Sequence, residues 1–456
     1  MAHSARAAAL AATFIGLAAA PARGEEGTPG VAFDWGLEAK GHFRDSSLLR
    51  VASPFPFPPE FLPPGASQAF LETVDAGRHT EVSTVTLFAG ARWGDAVEAR
   101  LKLDAVDRYE RNPTSSDREV DVDELWIRFG RDPQAPAAGL GLYAKLGKLP
   151  SFERQNDRRL ESYGLAATAF NRFEDQGLEV GLDFGRHLYL RAAATQGNPV
   201  FFRDPNALAG DNGTPELDPT AHPNPTPELA SGFPILYDAE VESPDFGGDL
   251  ELGVGLGVRF GEPGGGRELD LLVWHRERDL QDSVDLHGTF YGGDLDLLDG
   301  PTGLGLPAAG LPIAGEKKIE WGANLRVAWG GLALFGQYVD QELAGMDRTG
   351  WEAELAWRFD LPLFWAAAGR QLLPTLQPAV RYSELEPEFV GGGPFPGPSV
   401  RWPWEKLDYG LRVGLLGASD LTVERSENEM TLANGREISY DELLVSLRLR
   451  IRGEKR

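Results

Sequence analysis

The sequence has no cysteine and only three methionines in 456 residues. That excludes a disulfide-stapled fold and any Cys/His ligand cluster for a metal. Past its first segment it also lacks a run of about eighteen apolar residues, the length a helix needs to cross a bilayer, so helical membrane spans are excluded. Strands are not, because a barrel hides its lipid-facing residues in alternation and its averaged hydropathy reads as soluble. Positive charge is scarce: 44 Lys and Arg stand against 69 Asp and Glu, for a formal charge of −25. Nucleic acid is therefore not an expected partner, since phosphate binding needs clustered cations. Much of the acid lies in presumed loops, as at Asp279, Asp282, Asp285, Asp294, Asp296 and Asp299, where it reads as a solvated surface. Also absent are the G-x-S-x-G elbow, the H-E-x-x-H helix and the Walker loop. No catalytic residue, metal or cofactor is expected, and the protein reads as a non-enzyme. The histidines are isolated, and His187 and His275 read as wall residues. DLDLLDG (294–300) offers carboxylates without the glycine and terminal glutamate of a calcium loop.

What is abundant points to strands and turns: 55 Gly, 33 Pro and 11 Trp. The first residues read as a removable secretion signal. Arg6 is its positive end, AAALAATFIGLAAA its apolar stretch, and Ala20-Pro21-Ala22 a small-residue cleavage site. The expected organisation is a signal peptide over 1–22, a short lead over 23–30 and a single transmembrane β-barrel domain over 31–456.

The stretch from Leu140 to Gly197 sets the pattern. In LGLYAKLGKL (140–149), Leu140, Leu142, Ala144 and Leu146 alternate with Gly141, Tyr143, Lys145 and Gly147, which puts an apolar and a polar row on opposite faces. GLEVGLDF (177–184) and HLYLRAAA (187–194) repeat it across a tight turn. In DLELGVGLGVRF (249–260), Leu250, Leu252, Val254, Leu256, Val258 and Phe260 form one face, and Glu251, three glycines and Arg259 the other. About sixteen such segments follow one another from Val31, many of nine to twelve residues, long enough for a tilted membrane crossing. Short and long connections alternate, as in an antiparallel up-and-down barrel with short periplasmic turns and long external loops. An even strand count lets the first and last strands close antiparallel with no free edge.

With the apolar row toward lipid, the polar row lines a lumen that water must reach, because unpaired charge cannot be packed dry. The expected lining includes Arg100, Lys102, Glu124, Arg128, Lys145 and Arg191. Later strands add Arg259, Arg326, Arg358, Arg412, Arg448 and Arg450. Most of these charges are expected to pair across strands, with facing rows of opposite sign setting up a transverse field at the narrowest point. The long connection at 150–176 reads as the third external loop, folded into the pore. Its constriction candidates are Glu153, Arg154, Asp157, Arg158, Arg159, Glu161 and Arg172, with YGLAATAF wedged against the wall or forming one helical turn. Trp93, Trp329, Trp357 and Trp365 fall near short turns and Trp35, Trp126, Trp274 and Trp351 on strands, several of them at interfacial girdles.

The segment KLGKLPSFERQNDRRLESYG, followed by FEDQGLEVGLDFG and LYLRAAATQGN, resembles the corresponding region of outer-membrane porins of the phosphate-selective type. Preceded by DELWIRFG, it is also similar to the alginate-export family. The resemblance implies a channel in the outer membrane of a Gram-negative-type bacterium that lets small hydrophilic solutes or ions diffuse passively, with outer-membrane lipid around it and a possible homotrimer. The concentrated basic lining of a phosphate-specific pore is not evident, so that specificity is not carried over. Alternatives are export of an acidic polysaccharide such as alginate, or a plugged barrel whose long external loops bind a partner.

Overall fold

The structure, a computed structural model, describes residues 30–47, 50–52, 70–72, 77–107, 120–133, 135, 139–155, 157–170, 174–197, 235–239, 250–261, 266–279, 285–290, 293–296, 317–343, 345–362, 366–367, 370–388, 403–416, 418–431 and 435–455. The signal segment, Arg172 and Trp365 lie outside them.

Sixteen strands form the wall. The first eight are β1 (Val31–Ser46), β2 (Gly77–Trp93), β3 (Val97–Asp107), β4 (Asp121–Gly130), β5 (Leu140–Pro150), β6 (Glu174–Phe184), β7 (Leu188–Thr195) and β8 (Glu251–Gly261). The rest are β9 (Arg267–Asp279), β10 (Lys317–Trp329), β11 (Leu332–Leu343), β12 (Met346–Trp357), β13 (Thr375–Pro387), β14 (Trp404–Gly414), β15 (Asp420–Thr431) and β16 (Glu437–Lys455). Each pairs antiparallel with the next, and β16 pairs antiparallel with β1, from Phe33 opposite Lys455 to Ser46 opposite Glu442. The sheet is a closed barrel, so its first and last strands pair with each other and leave no open edge.

The alternation has the sense the sequence predicts. Along β8, Leu252, Val254, Leu256, Val258 and Phe260 are exposed while Glu251 and Arg259 are buried. A protein in water does the reverse. An exterior this apolar is stable against lipid, where a polar interior keeps its water. Trp35, Trp93, Trp329 and Trp357 stand outward near the turn end, joined by Phe129, Phe184 and Phe260. Trp321 and Trp351 are also outward and exposed. Trp274 turns inward instead and is buried. Its ring lies over Gly322, where any Cβ would overlap it, and its Nε1 donates to Asn324 Oδ1 at 3.0 Å. Trp126 is half-buried, with Lys145 Nζ 5.2 Å from its ring and its Nε1 donating to Glu124.

Loop lengths alternate as expected except at three places: the turn-end connection between β12 and β13 spans 358–374, the loop-end connection between β15 and β16 only 432–436, and that between β11 and β12 is shorter still. β11 and β12 run on until residues 344 and 345 alone join them at the loop end, a tight turn made possible by Gly345 at φ 78°. On their inward faces there Val339, Leu343 and Met346 are fully buried, alternating with Gln341 and Arg348. Further antiparallel pairs outside the wall join Arg50–Ala52 to Phe70–Glu72, and Ile235–Ala239 to Asp285–Phe290. No helix among the described residues is long and apolar enough to cross a membrane.

Candidate functional site: the lumen and the segment folded into it

After β5 the chain does not leave the barrel mouth but turns into it, and residues 151–170 are bonded to strands on the far side. The sequence explains why: this segment brings its own charges and its own apolar helix, so it matches a wall that offers both.

Glu153 is fully buried and takes a two-point contact from Arg276 of β9, Nε at 2.7 Å and Nη2 at 3.1 Å. Arg276 reaches on to Glu251 at 2.9 Å, which also holds Lys318. The Glu153 carbonyl accepts from Asn324 and from Gln337 Nε2 at 3.2 Å, and the Arg154 carbonyl from Arg326. One carboxylate of β12, Glu354, then accepts from Gln155 Nε2 at 3.2 Å and from the Arg159 backbone N–H at 2.8 Å.

Farther across, Glu424 of β15 accepts the backbone N–H groups of Glu161 and Ser162 at 2.6 and 2.8 Å. The Glu161 carboxylate itself is shared by Arg412 at 2.8 Å, Lys40 at 3.4 Å and Arg448. Its burial pushes the carboxyl up, but Lys40, Arg448, Arg412 and Arg158 outweigh that and hold it well below the usual carboxylate range. Arg381 of β13 donates to Ser162 Oγ at 2.7 Å while paired with Asp408, and Lys406 donates to the Tyr163 carbonyl at 2.9 Å.

The helical turn expected in YGLAATAF is α1, Leu165–Ala169. Gly164 provides no side-chain cap. The wall does so instead: Ser383 Oγ accepts from the Leu165 N–H and Glu352 from the Ala167 N–H, each at 3.3 Å. Arg348 donates to the Ala169 carbonyl at the other end. Leu165, Ala166, Ala169 and Phe170 pack with Val339, Leu385, Trp404, Met430, Ile438 and Tyr440 in one apolar cluster inside the barrel.

Two cavities border the inserted segment; a third, of about 680 Å³ and lined by Asp34, Arg100, Lys102 and Glu124 among others, does not touch it. The larger, about 810 Å³, reaches the turn end and is lined by Arg100, Glu124, Arg128, Lys145 and Arg326, with Arg358 at its rim. The smaller, about 300 Å³, lies between the inserted segment and β1, β3, β14 and β16. Lys102, Arg412, Arg448 and Arg450 line it from the wall, and Arg154, Asp157, Arg158 and Arg159 from the segment. Glu153 and Glu161, grouped with those residues in the sequence reading, face the wall rather than either cavity. Arg191 and Arg259 border neither: they share Asp183 at 2.9 and 3.7 Å and lie over the rings of Tyr143 and Tyr189. Nor do rows of opposite sign face each other across the smaller cavity, where Asp157 is the one carboxylate in the lining.

Pairing across strands is widespread, as in Arg128 with Glu98 at 3.0 Å and Lys145 with Glu179 at 3.4 Å. The sequence reading missed Lys40, Arg276, Arg348, Arg381 and Glu424. Their signal was their parity: each stands in the polar row of its strand. Asp123, Glu124 and Glu174 bring carboxylate oxygens within 4.8 Å of one another, but they are engaged by Lys102, Trp126 and Arg154 respectively.

No family model and no curated protein matches the sequence. Among solved structures, it is similar to the outer membrane channel DcaP of Acinetobacter baumannii at 9% identity and a TM-score of 0.49, over 93% of this chain and 99% of that one. OprB of Pseudomonas putida matches at 11% identity and 0.47, over 92% and 94%. OpdK of Pseudomonas aeruginosa, solved with vanillate, matches at 12% identity and 0.41, over 93% and 99%.

Proposed function

We propose that the protein is a porin-like channel of a Gram-negative-type outer membrane, through which small hydrophilic solutes or ions diffuse passively. The segment 150–176 narrows its pore. The observation that carries this reading is the inverted wall: an apolar exterior around a charged interior that holds cavities of about 810 and 300 Å³. Charge on an inner wall is stable when water reaches it, and a water-filled path through lipid conducts. The signal segment over 1–22 would deliver the chain across the inner membrane, and assembly as a homotrimer is part of the proposal. In this reading the protein is a conduit and catalyses no reaction.

The test is single-channel recording of the purified, folded protein in a planar bilayer. Stable open steps are expected. A folded barrel that stays silent would mean a plugged lumen, and the external loops would then be the functional part.

A further inference from the structure

The two cavities differ in charge, and the difference bears on what the proposed channel would pass. The larger is lined by seven cationic and six anionic side chains, close to balance. The smaller is lined by eight cations and one carboxylate.

The excess arises from position rather than number, because acids that neutralise these cations stand behind them. Glu161 holds Lys40, Arg412 and Arg448 from a side chain with no exposed surface. Glu174 takes Arg154, and Glu38 takes Arg450. None of the three lines the cavity, so a solute there meets guanidinium and ammonium groups first. Arg158 acts on Glu161 at longer range, and its close contacts are to a carbonyl and a ring. Its Nε donates to the Leu160 carbonyl at 3.0 Å and its guanidinium lies 3.5 Å from the centre of the Tyr163 ring. In a confined, low-dielectric space the nearest charges dominate, and a ring of one sign excludes its own kind.

We infer that this cavity is an anion filter with a binding site for small oxyanions, those bearing carboxylate or phosphate groups. Guanidinium forks match such groups in two-point contacts that chloride cannot make. The inference rests on the channel reading. It also runs against the formal charge of −25, which by itself would favour cations.

The experiment is the reversal potential of the full-length protein in a planar bilayer under a potassium chloride gradient. Inorganic phosphate and succinate are then added in turn as blockers of the chloride current. The expected result is a chloride-over-potassium permeability ratio above one, with both oxyanions reducing the current in a saturable way. Arg158→Glu should lower the ratio several-fold and weaken the block, and Arg158→Lys should keep the ratio while weakening the block. Each variant's fold is checked by its heat-sensitive mobility on a detergent gel. An open channel that favours potassium, or one whose selectivity is unmoved by Arg158→Glu, overturns the anion filter alone. An anion-selective channel insensitive to both oxyanions overturns the binding site. A folded but silent barrel overturns the channel reading and this one with it.

Discussion

Glu161 shows how much one side chain can hold. Its backbone N–H is bonded to β15, and its carboxylate is shared by cations of β1, β14 and β16. Glu161→Gln keeps the shape and removes the charge, leaving three cations without their common partner. At a dry site the loss of one partner costs about 3–5 kcal/mol, and beside a water-filled cavity less. We expect the segment to loosen: larger and noisier conductance, and faster trypsin cleavage after Arg158 and Arg159. An unchanged trace and an unchanged digest would show that the backbone bonds suffice. The pH dependence follows from the same group. Its folded pKa is depressed, so its contribution is fully present above the unfolded carboxyl value, about 4.3, and is lost as pH falls through the folded value. Conductance should therefore be steady from pH 8 to pH 5 and rise only in stronger acid, with that step missing in Glu161→Gln. Asp420 and Glu424, which face the same cluster, set the background against which the step is read. The sequence grouped Glu161 with the constriction candidates but did not give its direction. A loop has no period of two, so nothing local says which side chains meet the wall.

At the scale of elements, the inserted segment and the wall were legible to different degrees. The strands were readable because each carries its own alternation, and the expected count of about sixteen is met. α1 was readable as a possibility only. A five-residue helix is too short to be stable alone, and what sustains it is Ser383, Glu352, Arg348 and the apolar patch at the ends of β11 to β16. Glu424→Ala should therefore act like a change in the segment itself. It strips the acceptor from two buried N–H groups, at about 1–3 kcal/mol each. The expected outcome is raised hydrogen exchange at Glu161 and Ser162 with the barrel intact; protection equal to the parent would refute it. Within the wall, Gly322→Leu should displace the Trp274 ring and cost its bond to Asn324, which in turn supports the Glu153 carbonyl. Overpacking of this kind costs about 1–3 kcal/mol. It should appear as a lower temperature for conversion to the unfolded form on a detergent gel.

For the whole molecule, closure is the governing fact. A sheet whose last strand pairs with its first has no edge, and its stability is that of the ring rather than of any hairpin. The purified chain should partition into detergent rather than aqueous buffer, through the apolar band of its exterior; recovery in the aqueous phase as a folded species would contradict the membrane reading. The strand count and the antiparallel seam were open to inspection in the sequence, since they depend on patterns that repeat every two residues and every twenty or so.

The sequence by itself determined that the fold is an all-β barrel, which row of each strand is apolar, and which long connection carries the charge to fold inward. These are local properties, set by alternation, turn residues and length. Only the tertiary structure decided which charges face water and which face each other. Arg191 and Arg259 have the same chemistry as Arg158, yet the first two are turned to Asp183 and the last borders open space. The physical reason is that burial of a charge depends on what stands opposite. In a closed barrel with a segment laid across it, what stands opposite is contributed by residues hundreds of positions away.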